Sequence, residues 1–105
     1  MKVHSAWSMS GDKGSYQTIH QHGIGHICTV TYLDVPDKDP QSRDGAIYFV
    51  LHAEPFNEFS QPVRRYLNIK PQAGMSIIFP SWMLHGVYPQ GPGLRRTLNI
   101  DFKQG

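Results

Sequence analysis

Apolar and polar residues alternate with a period near two through most of this chain. Val3 to Met9, Ser15 to His22, His26 to Val35, Ala46 to His52, Met75 to Phe79 and Arg95 to Phe102 read as strands, separated by Gly, Pro, Asn and Asp. His26-Ile27-Cys28-Thr29-Val30-Thr31-Tyr32-Leu33 is rich in β-branched and aromatic residues, which fit a pleated, half-buried surface. Ile47-Tyr48-Phe49-Val50-Leu51 is a continuous apolar run bounded by Asp44-Gly45 and Pro55, as a buried strand would be. Helical periodicity is nearly absent. Two longer segments, Pro36 to Arg43 and Ala53 to Gln61, carry turn chemistry and are expected to be loops that act as lids. Many short strands with Gly/Pro turns in 105 residues predict an all-β fold, a sandwich or jelly roll, in one domain spanning 1–105.

The period-two pattern also carries chemistry. In a strand, residues i and i+2 face the same way, so His20 and His22 aim two imidazoles at one point while Gln21 faces away. Alone, such a pair equally suits an exposed polar strand face. His85, in the segment Phe79-Pro80-Ser81-Trp82-Met83-Leu84-His85, offers a third imidazole from a later part of the sheet. Three nitrogens on one side of a metal leave positions open for substrate or dioxygen, as catalytic sites require.

Composition narrows the classes. Hydrophobic residues make up 39% and charged residues 17%, with Gly (10) and Pro (8) abundant, which excludes a disordered chain. A formal charge of +2, with Arg64-Arg65 and Arg95-Arg96 as isolated pairs, gives no basic stripe for nucleic acid. Cys28 is the one cysteine, so neither a disulfide framework nor a CxxC knuckle is available. It reads as a small buried hydrophobe, and a reducing, cytoplasmic setting is expected. No apolar run is long enough for a bilayer, and Met1-Lys2-Val3-His4-Ser5 leads into polar residues rather than the apolar core of a secretion signal.

The spacing around the histidines resembles the two half-motifs of cupins, whose fold is a double-stranded β-helix. Gly14, five residues, His20-Gln21-His22 forms one half; Gly74, five residues, Pro80, four residues, His85 forms the other. His26 stands where the cupin acidic ligand is expected, and Trp82 stands in place of a Gly. A closer resemblance is to iron(II)/2-oxoglutarate-dependent oxygenases of the same superfamily that read W…G.Y…H.HP…SG..Y, then P..G….FPSW..H.V, then RxS. This chain has Trp7, Gly14, Tyr16, His20, His22 and Tyr32, then Pro71, Gly74, Phe79, Pro80, Ser81, Trp82, His85 and Val87, and finally Arg95 and Thr97. It departs at Gly23 for Pro, Cys28-Thr29 for Ser-Gly, and Thr97 for Ser.

The resemblance implies a cupin-like double-stranded β-helix with little helix, in which His20, His22 and His85 hold Fe(II). It implies that Arg95 and Thr97, on one strand face ten and twelve residues after His85, clamp the distal carboxylate of 2-oxoglutarate. Tyr32 is expected to donate a hydrogen bond to the cosubstrate, and Trp7, Tyr16, Tyr32 and Phe79 to wall the pocket. The implied reaction activates dioxygen at iron, decarboxylates 2-oxoglutarate to succinate and hydroxylates a C–H bond. Most such enzymes use His-x-Asp or His-x-Glu; three neutral imidazoles leave the site dicationic until an anion such as 2-oxoglutarate arrives. Several alternatives stay open: His26 as a fourth ligand, or His22 replaced by a carboxylate, with Asp34 and Asp101 as candidates. A purified sample carrying another divalent metal is a further one, as is a cupin of another class that does not use 2-oxoglutarate or only binds a small molecule. His4 and His52 lack sequence partners, and Arg96 should face away from Arg95. The chain begins almost at its first core strand, without the helices that usually cover one sheet in these oxygenases; self-association as a homodimer is expected to cover it.

Overall fold

A computed structural model describes residues 1–23, 26–36, 41–53 and 63–104. Among them are eight strands and no helix: β1 (Lys2–Gly11), β2 (Gln17–His20), β3 (His26–Asp34), β4 (Ile47–Ala53), β5 (Val63–Ile69), β6 (Ser76–Pro80), β7 (His85–Val87) and β8 (Arg95–Lys103). They form two four-stranded sheets, ordered β1-β8-β3-β6 and β2-β7-β4-β5, with every recorded pairing antiparallel. Consecutive strands alternate between the two sheets for most of the chain, which is the double-wound path of a jelly roll. The fold is therefore the all-β, cupin-like double-stranded β-helix that the motif spacing implied.

Each strand read from the sequence is present to within two residues at either end, and β5 and β7 are additional. β5 is an edge strand whose Arg65, Tyr66, Leu67 and Asn68 are all exposed, so it presents no buried alternation to detect. β7 has three residues and is too short to show a period. The loop expected over Pro36 to Arg43 is described only at Pro36 and from Gln41 onward, and the one expected over Ala53 to Gln61 lies outside the described residues apart from Ala53.

The core sits between the sheets. Cys28 and Tyr32 from β3, Ile77 and Phe79 from β6, and Ile47 and Phe49 from β4 form its buried cluster. Burial on β4 fades toward Leu51, so the apolar run read as uniformly buried is buried only over its first half. On β8 the inward side of the alternation is not apolar. Arg95, Thr97, Asn99 and Asp101 are all buried, at 5–7% exposure, and form a polar row facing the opposite sheet. Burying four polar side chains in register costs stability unless they have partners.

Candidate metal centre

β2 and β7 are neighbours, and their register sets His20 directly opposite His85. Directly opposed residues in an antiparallel pair have Cβ atoms about 4.5–5.5 Å apart, so two long side chains there meet. The ring centroids lie 4.3 Å apart. His85 is also opposite Phe49 on β4, and the rings of Phe49 and Phe79 pack against it at 5.9 and 4.7 Å. On the opposite face of the sheet Gly86 lets the Tyr48 ring lie across β7: a Cβ there would lie 2.4 Å from the Tyr48 hydroxyl oxygen.

His22 reaches the same place by a different route. β2 ends at His20, so the third ring is not held by strand pairing. Its backbone N–H donates to the Ser81 carbonyl at 2.9 Å, and Gly23 follows with a φ of 97°, turning the chain away from the sheet. Ser81 fastens this turn. It is fully buried; its hydroxyl donates to the Gly23 carbonyl at 2.9 Å and accepts from the His26 N–H at 3.1 Å, while its own N–H donates to the His26 carbonyl. No sequence spacing points to this clamp across 55 residues.

The three rings converge. His22 lies 5.2 Å from His20 and 5.1 Å from His85 between centroids, and one ring nitrogen of each falls within 4.8 Å of the others. In every case Nδ1 faces an oxygen that can only accept. His20 Nδ1 meets the Thr18 carbonyl at 2.7 Å, His85 Nδ1 the Met83 carbonyl at 2.9 Å, and His22 Nδ1 an Asp101 carboxylate oxygen at 3.1 Å. Each Nδ1 is thus placed to donate, which in the neutral ring leaves the lone pair on Nε2. Burial, the largest influence, lowers His85 from the usual 6.5 to about 4, against the opposing hydrogen bond to Met83, so it stays neutral in ordinary buffers. Three imidazoles, each with Nδ1 engaged by an acceptor oxygen, are a donor set that fits a divalent transition metal.

The cluster opens into a cavity of about 240 Å³. Trp7, Tyr32 and Phe79 line it, as expected, with Arg95, Thr97, Asn99 and Asp101 from the polar row of β8. Tyr16 does not: it precedes β2 and is 64% exposed. Burial pushes the Tyr32 hydroxyl up to about 12, with Arg95 opposing, so the phenol is a donor. Arg95 Nη1 donates to the Gly45 carbonyl at 3.3 Å, and its guanidinium also borders a second cavity of about 360 Å³ beside Ser42, Asp44 and Gln90. Asn99 Nδ2 donates to Thr97 Oγ1 at 3.2 Å, which leaves the Thr97 hydroxyl hydrogen free to point elsewhere.

A family model described as "Putative 2OG-Fe(II) oxygenase" matches residues 5–101. The chain belongs to that family. The match begins within β1 and ends at Asp101, so it contains every histidine of the cluster and the whole polar row of β8. As a member of the 2OG-Fe(II) oxygenase family the chain has a three-histidine group able to hold metal. Among solved structures, that of KdgF from Halomonas sp. is similar over 90% of this chain and 67% of the other, with 22% identity and a TM-score of 0.44. No curated protein matches the chain significantly in sequence.

The remaining candidates separate. Asp34 forms an ion pair with Arg96 on the outer side of the sheet and stands apart from the histidines. Arg96 faces outward as the alternation requires. The His26 ring packs on His4 at 4.4 Å and is outside both groups of converging metal-binding side chains found among the described residues. The side chain of His52 lies outside the described residues. Cys28 is buried at 1% exposure and its thiol is pushed up to about 12, by burial first and by hydrogen bonding to Asp101 second; it is the inert core residue its sequence context predicts. Asn99 was not singled out from the sequence and Asp101 only as an alternative ligand, although continuing the period two from Arg95 and Thr97 puts both on the same face.

Proposed function

We propose that this chain is a non-haem Fe(II)/2-oxoglutarate-dependent oxygenase in which His20, His22 and His85 are the metal ligands and Arg95 with Thr97 holds the cosubstrate. The observation that carries the reading is the contact of each Nδ1 of the three converging rings with an acceptor oxygen, beside a cavity that also contains a buried arginine. With Nδ1 of each ring engaged by an acceptor, Nε2 is left available as a metal donor, which supports the ligand assignment.

Each protein group then has a definite task. The three imidazoles fix the metal on one side, leaving the cavity side open to ligands. Arg95, buried and offering a planar fork of donors, pairs with a carboxylate bidentately. The Thr97 hydroxyl, whose oxygen already accepts from Asn99, donates to the same carboxylate, and the neutral Tyr32 phenol supplies a further donor nearby. Trp7 stacks on His22, and Phe49 and Phe79 shield His85 from water. Iron, when bound, supplies the activation of dioxygen that couples 2-oxoglutarate decarboxylation to C–H hydroxylation.

Isothermal calorimetry tests the clamp. With Fe(II) under anaerobic conditions, 2-oxoglutarate binds the wild-type chain, Arg95→Ala removes measurable binding, and Thr97→Val weakens it by about 1 kcal/mol. Absence of 2-oxoglutarate binding to the metal-loaded protein, or an Arg95→Ala variant that binds normally, would overturn the reading in favour of a cupin that does not use this cosubstrate.

A further inference from the structure

We propose that Asp101 is a positioning residue for His22 and supplies, from the far side of that ring, the negative charge that the three-histidine set itself lacks. The inference rests on the ligand assignment proposed above and goes beyond it.

Two of the three rings orient themselves. His20 and His85 each bond the carbonyl two residues earlier in their own segment, Thr18 and Met83. His22 lies beyond the end of β2, and its Nδ1 reaches instead across to the opposite sheet, to a residue 79 positions away. Asp101 is the last inward member of the β8 row, buried at 6% exposure, opposite Cys28 on β3 and Ser5 on β1. The Cys28 sulfur, the Asp101 carboxylate and a ring nitrogen of His22 all lie within 4.8 Å of one another. The carboxylate is thus held from behind as well as by the ring.

This geometry answers the question of the missing acidic ligand. Nδ1 and Nε2 lie on different edges of an imidazole, so a carboxylate bonded to Nδ1 is turned away from whatever Nε2 binds. Asp101 is therefore one ring removed from the metal position. A carboxylate accepting the Nδ1 proton fixes the tautomer, holds the ring plane and makes Nε2 a stronger donor. It also partly offsets a dication at short range in a poorly solvated site.

Two substitutions separate these effects. Asp101→Asn keeps an oxygen that can accept the Nδ1 proton and removes the charge; Asp101→Ala removes both. The readout is the dissociation constant for Co(II), measured by competition with a chelator, together with the visible d–d spectrum of the bound ion. The account expects Asp101→Ala to weaken Co(II) binding by roughly 10–100-fold and Asp101→Asn to fall between it and wild type. The Asn variant is also expected to shift the d–d bands, because ligand basicity changes while coordination number does not. In a His22→Ala background the same Asp101 substitutions should have no further effect, a coupling that a purely structural role would not produce. Affinities within about twofold of wild type in both variants, or effects that persist without His22, would overturn the inference while leaving the ligand assignment intact. If Asp101→Ala fails to fold, the near-isosteric Asn variant decides alone. A wild-type protein that binds no Co(II) overturns both.

Discussion

His85, at 4% exposure, is the most deeply buried of the three rings, and its burial has a consequence for acid stability. Its protonation falls from the usual 6.5 to about 4 in the folded chain, chiefly because burial penalises the charged form. A base with a lowered folded value binds fewer protons than the unfolded chain between those two pH values, so stability is complete above 6.5 and is lost as pH drops toward 4. The loss is on the order of 3 kcal/mol for the whole window. Urea unfolding of the metal-free protein between pH 7 and pH 4 should show it, and His85→Gln should flatten that part of the profile; an equal slope in the variant would contradict the assignment. At this scale the sequence was most legible where spacing repeats. His20, His22, His85, Arg95 and Thr97 all follow from short offsets, and the structure brings them around one cavity. Asp101 was left as one carboxylate among two because its link to His22 crosses the fold, and no local offset encodes a contact between the first quarter of the chain and its end.

Strand periodicity located most elements, and its failures have physical causes. β7 is three residues long, so His85 was recognisable by motif but its strand was not. β5 is an edge strand whose Arg65 to Asn68 are all exposed, so their alternation carries no hydrophobic signal. β8 shows the opposite case. Its alternation was plain, but the buried side is the polar one, and a period alone does not say which side faces in. The turn after His22 depends on Ser81, whose side chain makes two part-buried hydrogen bonds, to Gly23 and to His26. Ser81→Ala removes the hydroxyl that bonds the Gly23 carbonyl and the His26 N–H, both part-buried, and destabilisation of about 1 kcal/mol is expected. Co(II) affinity should weaken alongside, since the same turn carries His22. Equilibrium unfolding and metal titration of the variant check both, and a variant with unchanged stability would show that the clamp is dispensable.

For the whole molecule, the double-wound path is what joins two ends of the sequence into one site. β2 and β7 put two histidines in one sheet, while β8 contributes the polar row from the other. The outer side of the sheet containing β8 is less finished. Leu33, Ile78 and Leu98 are exposed there, Ile78 at 70%, with Ile27, Ile100 and Phe102 half-buried among them. The homodimer expected from the sequence would use this side. Light scattering at micromolar concentration should give a mass above the monomer's, reduced to monomer by Ile78→Lys; a monomeric wild type would remove the expectation. The central claim, however, concerns the cavity: that the three histidines bind iron and that 2-oxoglutarate chelates it there. Anaerobic absorption spectroscopy on adding Fe(II) and then 2-oxoglutarate tests it most directly. The account predicts a visible metal-to-ligand charge-transfer band that saturates at one iron per chain and is lost in His20→Ala and His85→Ala. A wild-type protein that develops no such band, or histidine variants that keep it, would contradict the account.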